Sequence, residues 1–172
     1  MERLERYEII SGDEARSKIV SMLKSAETGC LALFDEKYPY IIPLNHVFDN
    51  DCLLLHGSFV GKKIDLMKKN AYASYEIDYP VDAPKVKVLT CHREYESVIL
   101  NGKIDLIEDP EKRYEYLKRI SDEYSLPFKH GGEERCNVFI FRIHRATART
   151  GRFTPAGQKL LYSYDFVDPE NK

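Results

Sequence analysis

The chain has 172 residues, 43% of them hydrophobic and 31% charged, and a net charge of −2. Those figures suit one domain, 1–172, with a substantial core, and they argue against a nucleic-acid binder that works by bulk electrostatics. There is no run of about 18 apolar residues, so no membrane-spanning helix is expected, and the charged start Met1-Glu2-Arg3-Leu4-Glu5-Arg6 lacks an apolar signal core, which makes the cytoplasm the expected location.

In chain order, residues 1–12 read as an arm. Ser11-Gly12-Asp13-Glu14 opens a helix whose apolar residues Ala15, Ile19, Met22 and Leu23 recur at helical spacing, with Lys24 and Gly29 at its end. Gly29 to Phe34 is a short apolar strand, followed by the polar turn Asp35-Glu36-Lys37. Tyr40 to Phe48 is a second strand, Asp49-Asn50-Asp51 a hairpin turn, and Cys52 to His56 a third strand. A short helix follows from Gly61 to Lys69, with Ile64 and Met67 inward. Tyr72 to Tyr79 alternates as a strand, with Ala73, Tyr75 and Ile77 on one face, and Pro80 to Pro84 is a loop. Tyr95 to Glu108 is a long strand with a bulge or bend at Asn101-Gly102. Asp109-Pro110 caps and opens a helix with the stripe Tyr114, Leu117 and Ile120. Asn137 to Ala148 is the last long strand, and Phe166 to Lys172 reads as a frayed tail. Sequential antiparallel strands with few helices give a mainly β fold, a small closed barrel with helices on its flank.

The four cysteines, Cys30, Cys52, Cys91 and Cys136, form no C-x-x-C pair and no zinc-finger spacing, so they read as reduced, mostly buried thiols. Cys91-His92, His130 and Cys136 would hold a metal only if the fold brought all of them together, and no metal site is expected. Twelve tyrosines and eight phenylalanines against no tryptophan suit barrel exteriors and subunit interfaces.

Three segments could carry chemistry. His56-Gly57-Ser58-Phe59-Val60-Gly61-Lys62-Lys63 runs from an apolar strand through small residues into a helix start. Unpaired N–H groups, a partial positive charge and two ammonium groups make that start a candidate phosphate cradle, although the same residues would also serve as an ordinary solvated helix start. Pro39-Tyr40-Ile41-Ile42-Pro43-Leu44-Asn45 is a strand flanked and interrupted by prolines, as at an edge or bulge. Cys91 to Ile99 sets a polar cluster against a buried strand that leads to Gly102.

Taken together, G-C-L-A at 29–32, P-Y-x-x-P-L-N at 39–45, H-G-S-x-x-G-K-K-x-D at 56–65, Y-x-S-V-I-x-x-G at 95–102 and E-D-P-E-K at 108–112 resemble one family. It is the FMN-binding split-barrel family related to pyridoxamine 5′-phosphate oxidase, and within it the chain is most similar to the nitroimidazole-resistance (Nim-type) branch. The resemblance implies a six-stranded antiparallel split barrel and a homodimer with two FMN molecules at the subunit interface. It implies that Pro43, Leu44 and Asn45 face the flavin ring, that His56, Gly57 and Ser58 line the ribityl and phosphate side, and that Lys62 and Lys63, following Gly61, hold the phosphate. Tyr95 and Ser97 would approach from the partner subunit. The implied activity is hydride transfer through the flavin to a small, possibly nitroaromatic, substrate, with His56 as the protein group acting near the flavin.

The basic doublet of the oxidases proper is Arg-Lys, whereas here it is Lys-Lys, a pair of point charges rather than a fork. The tryptophan-bearing C-terminal segment of those oxidases is absent, which points away from pyridoxine 5′-phosphate as substrate. A non-catalytic barrel that binds flavin, deazaflavin or haem is the alternative, and a barrel that has lost its ligand is a third reading. The basic run Arg142, Arg145, Arg149 and Arg152 reads as a solvated face or as an attractor for an anionic substrate.

Overall fold

A computed structural model describes residues 6–80, 95–128 and 131–166. Its elements are β1 (Tyr7–Ile10), α1 (Gly12–Ser25), β2 (Thr28–Leu33), β3 (Tyr40–Asp49), β4 (Cys52–Gly57), α2 (Lys62–Lys69), β5 (Tyr72–Pro80), β6 (Tyr95–Leu106), α3 (Pro110–Glu123), β7 (Asn137–Phe153) and β8 (Lys159–Asp165). The expected loop beyond Pro80, the cluster at 91–94 and His130 lie outside the described residues.

The strands hydrogen-bond in the order β1-β8-β7-β4-β3-β2-β5-β6, and β6 also pairs with β7. That second pairing closes β7, β4, β3, β2, β5 and β6 into a six-stranded ring, all of it antiparallel. The expected barrel is therefore observed, with helices on its flank. No helix among the described residues is long and apolar enough to cross a membrane.

Local chemistry accounts for the joints. Asp49 pairs with Cys52 across the two residues Asn50 and Asp51, both at positive φ, the backbone that a two-residue hairpin of right-handed twist requires. The side chain of Asp109 accepts from the backbone N–H groups of Glu111 at 2.8 Å and Lys112 at 3.1 Å, capping α3 ahead of Pro110. The register between β6 and β7 shifts at Asn101/Gly102, as expected. A Cβ at Gly102 would lie 2.0 Å from the Arg142 carbonyl oxygen, so the bulge needs a residue with no side chain.

Strand alternation sets the core. Leu31, Leu53, Leu55, Tyr75, Val98, Leu100, Phe139 and Phe141 fill the barrel together with Ile19 and Leu23 of α1 and Ile64 and Met67 of α2. A second cluster, Val47, Leu54, Ile120 and Ile140, lies between the outer barrel wall and α3. β4 is thus covered on both faces, the condition that an unbroken Leu53-Leu54-Leu55 run encodes.

Two expectations are corrected. Residues 7–10 are not part of an arm: they form β1, which pairs in parallel with β8, Tyr7 opposite Lys159 and Ile10 opposite Tyr162. β1 has four residues and a partner some 150 residues away, so nothing near it in the chain marks it as a strand, whereas β8 also pairs antiparallel with the preceding β7, Phe153 opposite Lys159. Phe166 is buried at 5% exposure and stacks edge-on against Tyr164, so it belongs to the core rather than to the tail.

Candidate functional site

β3 changes partner half-way. Tyr40 to Asn45 pair with β2, whereas His46 to Asp49 pair with β4. β4 continues past that point as His56 and Gly57, paired only with Val138 and Asn137 of β7. The two strands part between Asn45 and His56, and this is the split in the barrel. Pro43, which has no N–H to donate, stands in the half of β3 that β4 has left.

The loop after β4 places the start of α2 at this split. No side chain caps α2, and its first internal bonds run from the N–H groups of Ile64 (2.9 Å) and Asp65 to the Gly61 carbonyl. Gly61 has φ +115°, a backbone that keeps the position to glycine, and a Cβ built there would meet nothing within 4 Å. The helix end therefore faces open space with its positive pole exposed.

The two lysines diverge. Lys62 Nζ lies 2.6 Å from the Asp35 carboxylate and 5.2 Å from the centre of the Tyr40 ring, on the β3 side. Lys63 lies across Gly57 on the β4 side, its Nζ 2.9 Å and its Cε 3.1 Å from where a Gly57 Cβ would be. Any larger residue at 57 would displace that ammonium group. The pairing with Asp35 raises the Lys62 pKa.

His56 is at the exposed end of β4. Its Nδ1 is 3.3 Å from Cys136 Sγ, and that sulfur is also 3.4 Å from the Gly57 carbonyl oxygen. Partial burial of the ring, and secondarily the Lys63 charge, push the His56 pKa below its ordinary value. Burial pushes the Cys136 thiol up, against the opposing pull of the Gly57 bond and the Lys63 charge. Imidazole and thiol are therefore both neutral near pH ~7.

Of the expected residues, His56, Gly57, Gly61, Lys62 and Lys63 come together here. Ser58 belongs to the same loop, where its hydroxyl donates to the Val60 carbonyl at 2.8 Å. Pro43 and Asn45 are exposed, and Asn45 accepts from the Thr28 hydroxyl at 3.2 Å. Leu44 is different: alternation turns its side chain inward, where it packs on the core, while its carbonyl accepts from the buried Tyr75 hydroxyl at 2.6 Å. Tyr95 and Ser97 do not join the cluster within one chain. Ser97 pairs with Arg149, and His56 pairs with Val138, eleven residues earlier on β7. That separation is about 36 Å of extended strand.

Asp35, Tyr40 and Cys136 were not recognised as site residues. Tyr40 stood in the P-Y motif, but Asp35 looked like any polar turn residue, and nothing local links Cys136 to His56. Three arginines of the basic run have partners in the chain: Arg142 bonds Asp105, Arg145 lies 3.5 Å from Asp165, and Arg149 lies over the Tyr7 ring. Those contacts engage Arg142, Arg145 and Arg149 within the chain, and the Arg145–Asp165 pair is solvent-exposed, as on a solvated face.

A closed six-stranded antiparallel barrel, split between two of its strands and flanked by helices, defines a split-barrel protein. The chain belongs to the pyridoxamine 5′-phosphate oxidase family, whose model matches residues 15–150. No curated protein matches the sequence. The fold is similar to that of a candidate 5-nitroimidazole antibiotic resistance protein from Bacteroides thetaiotaomicron, with TM-score 0.65 and 24% identity over 77% of this chain and 82% of that one. It is similar to an FAD-binding protein from Mesorhizobium loti, with TM-score 0.58 and 20% identity over 78% and 93% of the two chains. It is also similar to the flavocytochrome Anf3 from Azotobacter vinelandii, with TM-score 0.65 and 19% identity over 93% and 72%. At these identities the likeness is one of fold.

Proposed function

We propose that this chain is an FMN-dependent oxidoreductase that works as a homodimer and passes a hydride to a small acceptor of the nitroaromatic class. The observation that carries the reading is the pair of lysines on opposite banks of the split, Lys62 against Tyr40 and Lys63 against Gly57, at a helix start without a cap. A dianionic phosphate fits that donor set: two ammonium groups, two free backbone N–H groups and open space before Gly61. Family membership and fold neighbours named for FAD binding and as a flavocytochrome support a flavin in that place.

On this reading Lys62, Lys63 and the backbone at Gly61 hold the phosphate. Gly57 gives the Lys63 stem room, and His56 and Ser58 flank the ribityl chain. Pro43 and Asn45 offer outward side chains to the ring, whereas Leu44 supports the strand from behind. Tyr95 and Ser97, on β6 opposite the far end of β7, reach the site from a second subunit. Bound FMN supplies hydride acceptance and donation at its N5 atom. His56, neutral near pH ~7, is the group in the cradle able to exchange a proton close to physiological pH.

Titrating the purified protein with FMN while following flavin fluorescence, with the oligomeric state measured in parallel, tests the reading. The expected result is saturable quenching at one FMN per chain in a dimer. A protein that leaves FMN fluorescence unchanged, or that carries a haem Soret band instead, would overturn it.

A further inference from the structure

Cys136 stands eighty residues from His56, yet the antiparallel pairing of β4 with β7 sets Gly57 opposite Asn137 and so brings Cys136 to the end of β4. The sulfur has three acceptors around it: His56 Nδ1 at 3.3 Å, the Gly57 carbonyl at 3.4 Å and the Asn137 carbonyl at 3.7 Å. It has one hydrogen to give. The Cys136 backbone is fixed independently, because its N–H donates to the Gly132 carbonyl at 2.9 Å. The same turn is tied to α3 by Arg113, whose Nε donates to the Glu133 carbonyl at 3.2 Å. The Arg113 guanidinium also lies over the ring of Phe59 in the cradle loop, 5.2 Å from its centre. The turn that carries Cys136 is thus anchored through its own backbone and to α3, which places the sulfur beside the histidine.

We infer that Cys136 is the positioning residue for His56: its S–H donates to Nδ1 and fixes the imidazole as the Nε2–H tautomer. Two arrangements are open to a neutral thiol beside a neutral imidazole. In one, S–H donates to the unprotonated Nδ1, a good acceptor. In the other, S–H donates to a carbonyl and Nδ1–H must donate to sulfur, a weak acceptor. The first satisfies the better acceptor at the shortest of the three distances. The charged group facing the pair is Lys63 of α2, which disfavours imidazolium and keeps the neutral arrangement in place. The consequence for chemistry rests on the proposed flavin function: Nε2–H would be the hydrogen His56 presents to a bound molecule, with Nδ1 withdrawn from reaction. The pair itself exists without flavin.

Nitrogen NMR of the imidazole side chains in flavin-free protein tests the pair directly, with His56→Gln assigning the signal among the five histidines. The expected result is the Nε2–H tautomer for wild type and Cys136→Ser. In Cys136→Ala the tautomer preference should fall by about five-fold, one ordinary hydrogen bond's worth, and the His56 pKa should move up toward its ordinary value. If the protein also reduces flavin, the pH profile of that step should shift in Cys136→Ala and return in Cys136→Ser. The Nδ1–H tautomer in wild type would overturn the inference, as would an unchanged tautomer ratio in a folded Cys136→Ala. Failure of FMN to bind would remove the flavin reading and leave the tautomer result standing.

Discussion

The two lysines of the cradle should not be equivalent. Lys63 has no carboxylate partner among the described ion pairs and lies over Gly57, whereas Lys62 is shared with Asp35 at 2.6 Å. A phosphate would find Lys63 free and would have to compete with Asp35 for Lys62. A hydrogen bond to a charged group is worth about 1.5–3 kcal/mol, so Lys63→Ala should weaken flavin binding by about ten- to a hundred-fold. Lys62→Ala should cost less, because part of that charge is already spent on Asp35. Asp35→Asn should tighten binding, by up to about five-fold, since the pair it removes is solvent-exposed. A cycle of Lys62→Ala, Asp35→Asn and the double variant, read by flavin fluorescence at two salt concentrations, isolates the coupling. The Asp35→Asn gain should disappear when Lys62 is absent. Equal losses from the two lysines, together with an Asp35→Asn variant no tighter than wild type, would refute the argument.

Two glycines separate site from scaffold. In Gly57→Ala the new methyl meets the Lys63 amine end at 2.9 Å and the Phe139 ring at 3.3 Å, so a flexible tail can swing away; thermal melting should change little while flavin affinity falls about ten-fold, as in Lys63→Ala. In Gly102→Ala the methyl meets the Arg142 carbonyl at 2.0 Å, which is backbone on a paired strand; denaturant unfolding should show a loss of about 3 kcal/mol. The pH dependence of stability should trace to histidine. His46 is buried at 2% exposure, with Nε2 3.0 Å from the Leu23 carbonyl oxygen and Nδ1 3.1 Å from the Tyr75 hydroxyl; desolvation lowers its pKa against the raising effect of the Leu23 bond. The unfolded chain therefore takes up the proton first, so this stability is present above about pH 6.5 and is lost as the pH falls below it. Urea midpoints measured across that range should fall toward acid, and His46→Gln should flatten the slope, leaving the smaller share expected from His56.

What could be read in advance was what neighbouring residues decide among themselves. The Asp109 cap, the Asn50-Asp51 turn and the Asn101-Gly102 bulge are each specified within a few residues, and each stands where the pattern put it. β1 escaped because its parallel pairing with β8 is decided at the far end of the chain; β8 itself follows β7 through the short turn at 154–158, which Gly157 marks locally at positive φ. The cradle shows the same division more finely. The motif marked Lys62 and Lys63 as a pair, but adjacent residues on a helix point about 100° apart, so they cannot serve as one two-pronged grip from the same side. Only the split between β3 and β4 gives that divergence a use, since it offers each lysine its own bank: Tyr40 with Asp35 on one side, Gly57 with His56 and Cys136 on the other. A Lys-Lys doublet would suit such a site for the reason that makes it a poor substitute for a bidentate arginine elsewhere: two compact, separately aimed charges can close on a phosphate from opposite sides of a gap.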